Sequence, residues 1–93
     1  MKESDLVRKI IKHLNNLEEC FFFKHHGSMY SKAGVSDLIG TCRGRAVALE
    51  VKVGKNKATP IQMEFLNRWE KAGGIGAVVF SLEDAMNVIT SLP

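Results

Sequence analysis

Three charged residues stand where apolar strands would exclude them. In "GVSDLIGTCRGRAVALEVKV", residues 34 to 53, Asp37, Glu50 and Lys52 interrupt runs of aliphatic side chains. An ionised group taken out of water is normally paired with an opposite charge or bound to a metal, because isolation is too costly. Two carboxylates beside an amine can hold a divalent cation and face an anionic centre. Carboxylate oxygens, a main-chain carbonyl and water are the donors Mg²⁺ prefers, and a neighbouring lysine places positive charge where a reacting anion gathers negative charge. A plain Asp–Lys or Glu–Lys ion pair on a wet sheet edge is the simpler account of the same residues.

Whether the three meet depends on the elements that carry them. "DLIGT" and "RAVALEVKV" read as an antiparallel hairpin, with Cys42, Arg43 and Gly44 between the strands and the turn centred on Arg43-Gly44. That register sets Thr41 opposite Ala46 and Asp37 opposite Glu50. Side chains alternate along a strand, so Glu50 and Lys52 share a face, and cross-strand pairing puts Asp37 on it. Arg is an unusual first residue for a two-residue hairpin loop.

The remaining chain supplies helices and two more strands. Residues 4 to 18 carry Leu6, Val7, Ile10, Ile11, Leu14 and Leu17 at helical spacing. "CFFFKHH" is a short aromatic strand and "GSMYSKAG" a polar loop. "GKNKATP" is a basic turn closing in Thr59-Pro60, which starts a helix running to about Ala72 and stopped by Gly73-Gly74. "GAVVFS" is a buried strand, and Ser81 with Asp84 opens a last helix over "SLEDAMNVITSL". The order is α-β-β-β-α-β-α, a mixed α/β sandwich without repeats or linker.

Two more polar residues lie on helix faces that point inward. Glu3 falls at the centre of the first helix's apolar stripe, one turn before Leu6 and Val7; it would also suit the positive end of the helix dipole. Gln62 aligns with Phe65, Leu66 and Trp69. It also has the Thr59-x-x-Gln62 spacing of a capping box, in which its side chain reaches back to the cap.

Ninety-three residues, 45% hydrophobic and 25% charged, make one small domain, residues 1–93, that hides only about 60% of its unfolded surface. Oligomerisation is therefore expected. No apolar run approaches the roughly 18 residues of a membrane span, and "MKESDLVRK" lacks a signal-peptide core, so the expectation is a cytoplasmic protein. Cys20 and Cys42 have no CxxC spacing and read as small buried hydrophobes rather than zinc ligands. A net charge of +3 leans mildly toward a polyanion.

Asp37 followed by Glu50-Val51-Lys52, with Glu3 on a preceding helix and Gln62 on a following one, resembles the PD-(D/E)xK nuclease superfamily. Within it, "GVSDLIG…ALEVK…TPIQ…L…GG…AVVF" is similar to the VRR-NUC family, the virus-type replication-repair nuclease domain. That domain stands alone in phages and forms the C-terminal module of the Fanconi-associated nuclease. The resemblance spans nearly the whole chain and departs from the family at Ser36, where the residue before the metal-binding Asp is usually Pro.

The resemblance implies a restriction-endonuclease-like mixed sheet flanked by helices. It further implies that Asp37, Glu50 and the Val51 carbonyl bind Mg²⁺, with Mn²⁺ able to substitute, and that Lys52 orients or activates the attacking water. Gln62 would support Lys52 or that water, and Glu3 would reach the metal directly or through water. Ser28, Tyr30, Ser31 and Lys32 before the site, and Lys55 and Lys57 after it, are suited to phosphates, which position DNA without reading its sequence. His25 and His26 lie beside the same loop and suit DNA contact better than metal binding. The implied activity is a Mg²⁺-dependent, structure-selective DNA endonuclease acting on branched DNA such as four-way (Holliday) junctions, in a bacterial or phage-infected cell. It would act as a homodimer, for whose contact Met29, Tyr30 and Met86 are candidates. The alternatives are a flap or other repair nuclease, an archaeal-type junction resolvase, a catalytically silent DNA-binding module on the same fold, and an accessory protein with an internal ion-pair network.

Overall fold

The computed structural model describes residues 1–26 and 33–93. Among these, the elements follow in the expected order: α1 (Glu3–Asn15), β1 (Cys20–Lys24), β2 (Leu38–Cys42), β3 (Arg45–Val51), α2 (Pro60–Lys71), β4 (Ile75–Val79) and α3 (Leu82–Thr90). The strands form one mixed sheet in the order β1-β2-β3-β4. The first three are antiparallel neighbours, and β4 runs parallel to β3, with α2 as the crossover that a parallel pair requires. No helix among the described residues is long and apolar enough to cross a membrane.

The apolar pattern divides between the two faces of the sheet. The stripe of α1, Leu6, Val7, Ile10 and Leu14, is buried as a unit. It packs with Ala85 and Ile89 of α3 against Phe22, Leu38, Val47, Leu49, Val51 and Val79. Each large aliphatic side chain buried there contributes about 1.5–3 kcal/mol. Alternation sends Ala48 and Glu50 to the opposite face, where α2 lies over β3 and β4 with Leu66 against Gly76. Gly40 lies opposite Phe22, and a Cβ there would overlap the Phe22 ring.

The hairpin turn has the predicted centre. Arg43 (φ 53°) and Gly44 (φ 79°) both adopt positive φ, as a tight primed turn demands. Arg43 is held in this unfavourable conformation by Glu19: its N–H donates to the Glu19 carbonyl at 3.0 Å and its Nε to Oε1 at 3.3 Å. Cys42 belongs to β2 rather than to the turn. It lies directly opposite Cys20, and the two are joined in a disulfide. Both are buried as expected, but they are bonded to each other and not simply small buried hydrophobes. Met86, expected on the surface, is half-buried against the core.

The helix predicted to reach residue 18 ends at Asn15, whose side chain serves the sheet instead. Its Nδ2 donates to the Phe22 carbonyl at 2.9 Å, and the Phe22 N–H donates to its Oδ1 at 2.8 Å. The amide thus imitates a neighbouring strand at Phe22, in the middle of the outer edge of β1, which would otherwise invite pairing. Asn15→Ala should destabilise the fold by about 1–3 kcal/mol, the cost of leaving part-buried main-chain groups unpaired. It should also raise light scattering on refolding. Unchanged urea denaturation would show that the edge needs no cap.

Candidate active site

Asp37 immediately precedes β2 and is fixed from both sides. Its carbonyl accepts the His25 N–H at 2.9 Å, and its Oδ2 accepts the Val51 N–H at 2.8 Å. The register of the hairpin, Leu38 opposite Leu49, carries Asp37 to the position beside Glu50. Glu50 lies between Asp37 and Val78, its neighbour on β4, and is 1% exposed. Its Oε2 is 3.4 Å from Lys52 Nζ, while its Oε1 is buried with no hydrogen-bond partner.

Burial, reinforced by the negative charge of Asp37, pushes the Glu50 carboxyl up to about 7 against the opposing pull of Lys52. One ammonium is thus not enough to offset the desolvation of this carboxylate. Lys52 follows β3 in line, its N–H donating to the Val79 carbonyl at 3.0 Å, and its side chain is 12% exposed. Its charge therefore acts in a poorly solvated setting, where an electrostatic contact is stronger than in water.

The other sequence candidates fall into three groups. Val51 directs its N–H to Asp37, and because the N–H and C=O of one strand residue project the same way, its carbonyl lies on that side too. Gln62 closes the capping box: its Oε1 accepts the Thr59 N–H at 2.8 Å and its own N–H donates to Thr59 Oγ1 at 3.3 Å. Glu3 occupies the first turn of α1, half-buried. Among the described residues no three His, Cys, Asp or Glu side chains group as a metal site. Lys55 and Lys57 are exposed between β3 and α2. Ser28, Tyr30, Ser31 and Lys32, with Met29, lie outside the described residues.

Two residues named in the sequence take a place there that the sequence did not reveal. His25 extends the row Asp37–Glu50 onto the end of β1, through its main-chain bond to Asp37. Ser36 is buried with an unpartnered Oγ directly before Asp37, where the sequence signalled only a departure from Pro.

Two carboxylates and a main-chain carbonyl form a hard-oxygen donor set that suits Mg²⁺. The orphaned Oε1 of Glu50 fits the same requirement, since a cation would satisfy it and stabilise the ionised form.

Known structures share this architecture. A VRR_NUC domain superposes on the chain with a TM-score of 0.77 and 24% identity over 100% of both chains. A VRR_NUC domain protein does so with a TM-score of 0.75 and 21% identity, over 97% of this chain and 86% of the other. No family model and no curated protein matches the sequence. The chain therefore has the fold of the VRR_NUC domain, with Asp37, Glu50 and Lys52 drawn together on the α2 face of its sheet.

Proposed function

We propose that the protein is a Mg²⁺-dependent DNA endonuclease that hydrolyses phosphodiester bonds in branched DNA, with four-way junctions as the preferred substrate. The observation that carries this reading is Glu50: a buried carboxylate beside Asp37, one oxygen facing Lys52 and the other unsatisfied. For the ionised carboxylate that arrangement is costly, and a bound cation would offset the cost.

When bound by Asp37, Glu50 and the Val51 carbonyl, a divalent cation supplies Lewis acidity and lowers the pKa of water. The chain's own groups do the rest. The Val51 N–H holds the Asp37 carboxylate in one orientation. Lys52 places its ammonium where the attacked phosphate accumulates negative charge. Lys55 and Lys57, with Ser28, Tyr30, Ser31 and Lys32, grip flanking phosphates. Mn²⁺ substitutes for Mg²⁺, and two copies act together so that two sites meet opposite strands of a junction.

Asp37→Asn separates catalysis from folding. Asn offers one oxygen for the Val51 N–H but loses the charge the cation needs. With labelled four-way junction, flap and linear duplex DNA, the wild type should cut the junction in Mg²⁺ and not in chelator. The variant should retain its melting temperature and lose at least ~10²-fold in rate, the scale of one missing transition-state contact. Binding without cutting by the wild type would favour the silent DNA-binding module, and preferential flap cutting would replace the junction substrate.

A further inference from the structure

The sheet face that carries Asp37 and Glu50 is covered only in part. α2 lies over β3 and β4. On the β1 side of the same face Phe21 and Phe23 are 68% and 51% exposed, beside the exposed Thr41. Phe22 between them turns the other way into the core, and pairing through Thr41 to Ala46 and through Ile39 to Ala48 sets both rings on the face of Glu50. Scattered exposed apolar side chains are ordinary, whereas two rings side by side on one strand make a contiguous patch.

The patch points at the site. Lys24 pairs with Leu38, which brings His25 beside Asp37, where its N–H donates to the Asp37 carbonyl at 2.9 Å. Phe21, Phe23 and the row of His25 and Asp37 therefore follow one another at steps of two residues, each about 6.7 Å long. That step chooses the occupant. Nucleotides lie roughly 3.4 Å apart along one strand of a duplex, and a strand pulled out of its stack extends to about twice that. Bases seated on Phe21 and Phe23 would then bring the next phosphate to Asp37 and Glu50. The bases must be unpaired, because in a duplex their flat faces are already taken by the neighbours in the stack. Aromatic side chains on an open sheet hold single strands in this manner, since every base offers a π-face. Ile39, Thr41, Ala46 and Ala48, the other residues of this face before the site, carry no charge to repel a phosphate, and Lys24 is exposed on the same edge strand.

We propose that Phe21 and Phe23 form a stacking platform for two consecutive unpaired bases of single-stranded DNA, leading that strand along β1 into the site at Asp37 and Glu50. The inference deepens the nuclease reading by naming the form of the substrate at the site, an unpaired strand beside the branch point. It rests on that reading for the fate of the phosphate and not for the binding.

Binding of a labelled oligothymidylate and of a labelled blunt duplex, followed by fluorescence anisotropy in chelator, leaves cleavage out of the measurement. The wild type should prefer the single strand. Phe21→Ala and Phe23→Ala should each weaken its binding about tenfold, the scale of one base on one ring. Both rings are exposed, so the melting temperatures should hold. Phe21→Leu and Phe23→Leu should bind as weakly as the Ala variants, because they keep apolar area but lose the aromatic face. Phe23→Trp should bind at least as well as the wild type, and its indole emission should be quenched by oligothymidylate, with the wild type and its single Trp69 as the background. Full affinity in the Leu variants overturns the platform and assigns the patch to apolar contact with protein. A wild type that binds duplex and single strand equally, or that is indifferent to both Ala changes, overturns it as well. If junction, flap and duplex all go uncut while oligothymidylate binding still depends on the two rings, the nuclease reading falls and the platform stands.

Discussion

Glu50→Gln should make the protein more stable than the wild type at pH 8 when divalent cations are absent. The Glu50 carboxyl titrates near 7 in the folded chain against 4.5 ordinarily, raised first by burial and then by Asp37. For an acid raised on folding, the folded state holds its proton more tightly than the unfolded chain does. The resulting stability is complete below pH 4.5 and is lost as pH rises through about 7. The loss is roughly 3 kcal/mol from the linkage of pKa to free energy, and the variant's advantage at pH 8 is smaller than this because Lys52 forfeits its partner in it. Gln cannot ionise, so its urea midpoint should stay nearly flat over the same window, and the two profiles should converge near pH 5. Adding Mg²⁺ at pH 8 should stabilise the wild type and not the variant, since the cation takes over from the proton. Parallel pH profiles, or equal responses to Mg²⁺, would mean that Glu50 does not carry the buried charge.

The same residue shows how far local pattern reaches. The hairpin could be aligned from the sequence because Arg43-Gly44 marks its turn and alternation then places every side chain; Asp37 and Glu50 meet because that register holds. The capping role of Gln62 was also visible, since it depends on a spacing of three residues. What depends on distant partners was not. Asn15 leaves the helix to serve a strand edge that exists only once β1 has docked. The Cys20–Cys42 bond depends on the register between β1 and β2, set across the connection of residues 25–37, where no local rule applies. Glu3 stands half-buried in the first turn of α1, and a helical wheel gives a residue's direction without its reach.

Lys52 should be the most sensitive position for the proposed cleavage. Lys52→Met keeps the length and most of the apolar stem while removing the cation that lies 3.4 Å from Glu50. Two consequences follow from one change. The transition state loses a charge aimed at the phosphate, which should slow cleavage by about 10²–10³-fold. Glu50 loses a neighbour that favours its ionised form, so its carboxyl should titrate still higher, and the fall in stability toward pH 8 without Mg²⁺ should steepen. Lys52→Arg separates two roles, because a guanidinium keeps the charge but cannot serve as a base near neutrality. Electrostatic action by Lys52 predicts that Arg recovers part of the lost rate with Mg²⁺ affinity unchanged; proton transfer predicts that Arg is as slow as Met. A Met variant that cuts at the wild-type rate would remove Lys52 from the reaction and leave it as the counter-charge of Glu50.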